Sequence, residues 1–169
     1  MSHRLVYFGN ETLKRVAEPV QDINGQIKEL SDDMFNVMYT SRGIGLAAPQ
    51  VDEALRLLVI DIEEYDGMKP VVLVNPEITE VSEETEPYEE GCLSLPGIME
   101  DIVRPSEIHV RAVTVDGNEV EFDAGGLYAR VLQHEIDHLN GIVFVDHLED
   151  YVRKELNPQL KKIKRMNRE

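Results

Sequence analysis

A chain of 169 residues with 17 basic and 33 acidic side chains carries a formal charge of −16, which argues against nonspecific nucleic-acid binding and for solubility. The length suits one domain, residues 1–169, with a real core, and a lone cysteine excludes an internal disulfide and gives no sign of an oxidising compartment. With no long apolar run and no signal-peptide pattern, no membrane attachment is expected; the expected setting is the cytoplasm, bacterial rather than organellar because no transit segment is evident.

In chain order, Ile27, Leu30, Met34, Val37 and Met38 recur at helical spacing and predict a helix over 25–40. Gly43-Ile44-Gly45-Leu46-Ala47-Ala48 comes next as a loop. Its GxGxxA spacing also fits a dinucleotide fingerprint, but that requires a strand before it and a helix after it, whereas a helix precedes it and Pro49 interrupts any new helix downstream, so no nucleotide cofactor is expected. Its glycines let the backbone approach an extended ligand that could pair with it as an added strand. Strands are expected at Leu57 to Ile62, Val71 to Val74, Glu77 to Val81, Ile108 to Val115 and Glu119 to Phe122, with Asp116-Gly117 as a hairpin turn. The acidic run Glu83 to Glu86 reads as a solvated loop rather than a cation site. There is no internal repeat and no linker.

Leu127, Val131, Leu132, Ile136 and Leu139 predict a helix with one face turned inward, closed near Gly141. It carries His134-Glu135-Ile136-Asp137-His138. Histidines four apart share a helix face and can aim at one ion, while Glu135 sits about 100° round from His134, beside that ion, as suits a general base. A solvated surface helix is the plainer reading of the pentad. A catalytic site needs a third protein ligand. Cys92, in Glu90-Gly91-Cys92-Leu93-Ser94-Leu95-Pro96-Gly97, is a buried apolar residue, a nucleophile paired with histidine, or that ligand; the flanking glycines and proline suit a loop that presents a side chain.

Gly43-Ile44-Gly45-Leu46-Ala47-Ala48-Pro49-Gln50, Glu90-Gly91-Cys92-Leu93-Ser94 and Gln133-His134-Glu135-Ile136-Asp137-His138 together resemble, in order and spacing, the three signature motifs of the peptide deformylases, and the stretch Asn10 to Val20 resembles that family's opening segment. The resemblance implies that Cys92, His134 and His138 hold a divalent ion, Fe(II) favoured and Zn(II) an alternative, and that Glu135 handles protons. It implies an oxyanion site from the Gln50 side-chain amide and the Leu93 N–H. It also implies backbone binding of substrate at Gly43, Ile44, Gly45 and Gly91, and a methionine pocket walled by Leu127 and Val131. Met99 stands where some relatives carry an arginine, so a peptide contact assigned to that arginine does not transfer. The expected reaction is hydrolysis of the N-formyl group from the initiator methionine of nascent polypeptides, with metal-bound water as nucleophile and formate as product. The expected fold is α+β, with small mixed or antiparallel sheets around a central metal-binding HExxH helix and helices at both ends.

From Arg153 to Arg168 seven basic residues and one acid accompany an apolar stripe of Leu156, Leu160, Ile163 and Met166, and Asn157-Pro158 is expected to interrupt or restart this C-terminal helix of about 150–169. The segment reads either as an amphipathic helix lying on the domain or, by the family resemblance, as a ribosome contact whose lysines meet RNA. A zincin-type peptidase, a cysteine hydrolase and a noncatalytic binding module are the rival functions. Cleavage of internal peptide bonds, inactivation by alkylation without sensitivity to chelators, and inertness of the metal-loaded protein toward formyl-Met peptides would respectively mark them.

Overall fold

The computed structural model describes residues 3–168, so the ends of the expected 1–169 unit, including Glu169 of the expected C-terminal segment, lie outside the described residues. Helix α1 spans Gly25–Thr40, with the Asn24 side chain accepting from the Gln26 and Ile27 N–H groups and thereby satisfying donors that a helix start leaves free. Five strands, β1 (Gly45–Ala47), β2 (Leu57–Ile60), β3 (Val71–Val81), β6 (Glu107–Val113) and β7 (Glu119–Gly125), form one antiparallel sheet in the order β1-β2-β3-β6-β7. Strands β4 (Thr85–Cys92) and β5 (Leu95–Pro105) form a separate antiparallel hairpin. The architecture is mixed α+β with antiparallel sheets; a single parallel bridge, Glu18 to Leu55, lies outside the named strands.

All four residues of β2 are buried, because the strand has apolar partners on both faces. Successive side chains alternate in direction. Leu58 and Ile60 accordingly pack with Leu132, Ile136 and Leu139, and Leu57 and Val59 with Ile27, Leu30, Met34 and Met38 of α1. The first set comes from α3 (Gly126–Leu139), which carries His134, Glu135 and His138. Two features fix the end of that helix. Gly141, at φ +75°, bonds from its N–H to the His138 carbonyl, and Arg56 donates to the Leu139 carbonyl at 2.8 Å and to Asn140 Oδ1 at 2.9 Å. A third cluster joins Leu95, Ile98 and Ile102 of the hairpin to Phe144, Leu160 and Ile163, the last two on α4 (Asp150–Arg165).

Several expectations are corrected. The two strands expected at Val71–Val74 and Glu77–Val81 are one strand whose register shifts between Val74 and Glu77. At the shift, Asn75 adopts φ +51° and exchanges hydrogen bonds with the Val20 backbone, while Pro76 offers no ladder N–H. The strand expected to reach Ile62 stops at Ile60, and Ile62 caps a short helix α2, Glu63–Asp66. The expected Glu83–Glu86 loop ends early, with Thr85 and Glu86 already in β4. The glycine motif contains strand β1, and Pro49 occupies the first turn of a 3₁₀ segment, Ala48–Val51, where its missing N–H costs no helical bond. Pro158 does not break the last helix: α4 runs on to Arg165, its second half held by buried Leu160 and Ile163. The expected hairpin turn is present, with Gly117 at φ +87°.

Candidate metal centre and cleft

Cys92 closes β4, and His134 and His138 stand one turn apart on α3. Their ligand atoms all lie within 4.8 Å of one another. Cys92 Sγ is 3.3 Å from His138 Nε2, near the roughly 3.5 Å expected between a sulfur and a nitrogen bound tetrahedrally to one ion at about 2.3 and 2.05 Å. His138 is wholly buried and His134 nearly so. His134 Nδ1 is 2.9 Å from Glu90 Oε1. This contact fixes the ring and leaves Nε2 to face the thiol.

Behind His134 lies a buried knot of charge. Arg104 donates to both Glu90 oxygens, at 2.6 and 3.0 Å, and to Asp137 Oδ2 at 2.8 Å. Arg130 donates to Glu90 Oε2 and to the Ile102 carbonyl, each at 2.8 Å, and its guanidinium lies over the Tyr88 ring. Burial works to raise the Glu90 carboxyl, but His134 and Arg104 outweigh it and hold the group well below the usual carboxylate range. Burial works to lower both histidines. At His134 it is outweighed by the Cys92 and Glu90 contacts, which push the imidazole up, whereas at His138 the positive neighbours His134 and Arg104 add to burial and push it down. Glu90 and Cys92 thus favour positive charge at this spot. A thiol, two imidazoles and a supporting carboxylate fit a divalent transition metal.

Glu135 is buried, and its Oε1 has no hydrogen-bond partner among the described residues. Burial raises its carboxyl to about 7. Its location explains Gly45: a Cβ there would stand 2.8 Å from Glu135 Oε2 and 2.8 Å from Val131 Cγ1. The Gln50 amide is oriented by its Oε1, which accepts from the Ala47 N–H at 2.9 Å, so that Nε2 faces Ser94 Oγ at 3.2 Å and Cys92 Sγ at 3.5 Å.

These groups share one cleft of about 650 Å³. It brings together Gly43, Ile44, Gly45, Gln50, Gly91, Cys92, Leu93, Leu127, Val131, His134 and Glu135. His138 lies behind the surface, reaching the centre through Nε2. Sequence reasoning assigned no role to Glu90 or Asp137, although both lie inside the quoted motifs, nor to Arg104 and Arg130, whose partners become visible only once the hairpin is folded against α3. It also missed Leu5, Tyr7 and Met166, which line the cleft from the two ends of the chain. The dinucleotide reading fails on the elements themselves, since α1 precedes the glycines.

A cleft whose wall carries a thiol, an imidazole and a buried acid, with a second imidazole just behind the thiol, defines a candidate metallohydrolase. Residues 2–154 match the family model described as polypeptide deformylase, and the chain belongs to that family. It is 43% identical over 161 residues to the peptide deformylase of Acinetobacter baumannii, covering 95% of this chain and 91% of that protein. A crystal structure of a peptide deformylase from Legionella pneumophila superposes with a TM-score of 0.90 at 42% identity, covering 98% of this chain and 97% of the other. The Ehrlichia chaffeensis peptide deformylase in complex with actinonin superposes with a TM-score of 0.89 at 39% identity, each chain covered 100%.

Proposed function

We propose that this enzyme hydrolyses the N-formyl group from the initiator methionine of nascent polypeptides, releasing formate and a free amine. The observation that carries the reading is Glu135, a buried acid lining the cleft with one oxygen unpartnered among the described residues, beside the Cys92, His134 and His138 donors. When bound, a divalent ion supplies a water that ionises near neutral pH and a positive charge facing the substrate carbonyl. Fe(II) is favoured by the family resemblance, and Zn(II) suits the same donors.

The remaining chemistry belongs to the side chains. Glu135 accepts the proton of the attacking water and passes it to the departing methionine nitrogen, a role that burial favours by raising the carboxyl above its ordinary value. Gln50 Nε2 and the Leu93 N–H donate to the formyl oxygen as it gains charge, and the Ala47 N–H holds the Gln50 amide in that orientation. The peptide lies extended against Gly43, Ile44 and Gly45, with Gly91 opposite, and Leu127 and Val131 wall the methionine side chain. Glu135→Gln keeps the metal and lowers turnover by roughly two to four decades. Formate release from a formyl-Met peptide by anaerobically purified protein, with metal analysis of the same sample, tests the reading; near-normal turnover in the metal-replete Gln variant overturns the role of Glu135. The 3.3 Å contact between Cys92 Sγ and His138 Nε2 also suits a thiol nucleophile. Activity that survives chelation but not alkylation would favour that rival.

The cytoplasm is the proposed compartment, and no helix among the described residues is long and apolar enough to cross a membrane. The ribosome is the proposed partner of α4. Leu160 and Ile163 are buried while Lys154, Lys161, Lys162 and Arg165 remain exposed, so packing on the domain and a basic outer face coexist. Lys161→Glu with Lys162→Glu should weaken cosedimentation with ribosomes at low salt. Unchanged cosedimentation refutes the contact.

A further inference from the structure

The two ends of the chain meet at the cleft. Asn167 Oδ1 accepts from the Tyr7 N–H at 2.8 Å, and Asn167 Nδ2 donates to the Tyr7 and Phe8 carbonyls at 3.0 and 3.2 Å. Lys164 Nζ lies over the Phe8 ring, and a Cβ on Gly9 would meet Lys164 Cγ at 2.6 Å, so the helix end and the N-terminal segment are packed together without slack. The same N-terminal segment is bonded to both site loops. The Val6 N–H donates to the Gln50 carbonyl at 2.8 Å and the Phe8 N–H to the Ser94 carbonyl at 2.9 Å. The tail is therefore one residue away, through Tyr7 and Phe8, from the backbone of the glycine-motif loop and of the cysteine loop. Met166, Tyr7 and Leu5 line the cleft, as do Leu93 and Pro96.

The glycine positions give the cleft a direction. Gly45 lies against Glu135 and Val131, whereas Gly43 lies against Leu93, whose Cδ1 would stand 2.5 Å from an added Cβ. A peptide paired along this stretch with its formyl end at Glu135 leaves toward Leu93, and Leu93 packs in the same cluster as Leu5. Side chains of an extended peptide alternate, so the third residue emerges on the same face as the methionine, about 6.5 Å further along.

We propose that the C-terminal turn Met166–Arg168, latched to Tyr7 by Asn167, forms the outer wall of the peptide cleft, and that Met166 with Tyr7 and Leu93 selects an apolar third residue in the substrate. This inference rests on the deformylase reading and adds a specificity site to it. Asn167 is a positioning residue: it touches no substrate and acts through the N-terminal segment it holds.

The test compares formate release from formyl-Met-Ala-Leu, formyl-Met-Ala-Lys and formyl-Met-Ala. The metal-loaded full chain should prefer leucine over lysine by roughly three- to tenfold in kcat/KM, expressed mainly in KM. Met166→Leu should keep that preference, Met166→Ala should erase most of it, and Met166→Glu should tilt it toward lysine, a reversal that mere loosening of the fold would not give. Asn167→Ala should reduce the same preference. A leucine-to-lysine ratio identical in all four variants overturns the inference while leaving the deformylase reading intact; absence of formate from every peptide overturns both.

Discussion

Of the histidines paired with carboxylates, His134 at the cleft and His109 on the sheet differ in almost everything but that pairing. At the cleft, His134 meets Glu90, and the Glu90 and Arg104 side chains are 4% and 6% exposed. On the β6–β7 hairpin, His109 lies 2.7 Å from Asp123 and 2.9 Å from Glu121, yet the Asp123 side chain is 88% exposed. The distances alone do not distinguish them. Burial does, because a charge out of water must keep its partner, whereas an exposed one is solvated whether or not it is paired.

The largest break in the comparison comes from Glu90→Ala. It strands Arg104 and Arg130 without their shared carboxylate and should cost about 3–5 kcal/mol in urea unfolding, together with a roughly 10- to 100-fold loss of metal affinity as the His134 ring loses its support. A shift no larger than that of a surface substitution would mean the knot is solvated in practice. Arg130→Met should cost less, about 1–3 kcal/mol, since Arg104 still neutralises Glu90 while the Ile102 and Glu86 carbonyls lose a donor.

The pH dependence separates the clusters by sign. Glu90 ionises far more readily in the folded chain than in the unfolded one, so its contribution is fully present above the ordinary carboxylate pKa of 4.5 and is lost only as pH falls well below it. His109 is raised from 6.5, chiefly by Asp123 and then by Glu121, so its contribution is present below 6.5 and disappears as pH rises through the folded value. Urea midpoints of the parent and of Asp123→Asn, measured at pH 5.5 and 8.5, about one unit below and two above the ordinary value of 6.5, should diverge slightly at the lower pH and draw together at the higher. Of the substitutions considered, this one should have the smallest effect, and an equal difference at both pH values would dismiss the ion pairs as its source.

The same contrast explains how much of the molecule is legible in its sequence. His134, Glu135 and His138 are separated by one turn of helix, so their grouping is local and visible as spacing. The glycine stretch and Cys92 are recognisable by resemblance, and the structure places them on the same cleft. The strand β4 is not legible as a strand, because Glu86-Pro87-Tyr88-Glu89-Glu90 shows no apolar alternation and β4 carries one buried residue before its glycine-cysteine end. A strand held by a hairpin partner and a buried ion pair leaves no periodic signal. The continuity of β3 through Asn75-Pro76 and of α4 through Pro158 is hidden for a related reason, since each depends on contacts made elsewhere: the Val20 backbone for one, Leu160 and Ile163 for the other.

The meeting of Tyr7 with Asn167 has a practical side. A bulky probe attached at Arg168 would stand two residues from Met166, which lines the cleft, and crowd the mouth of the proposed peptide path. A short insertion at Asp116-Gly117, in a hairpin turn that lines no part of the cleft, would leave that entrance open, and is the better place for a fluorophore or an immobilisation tag.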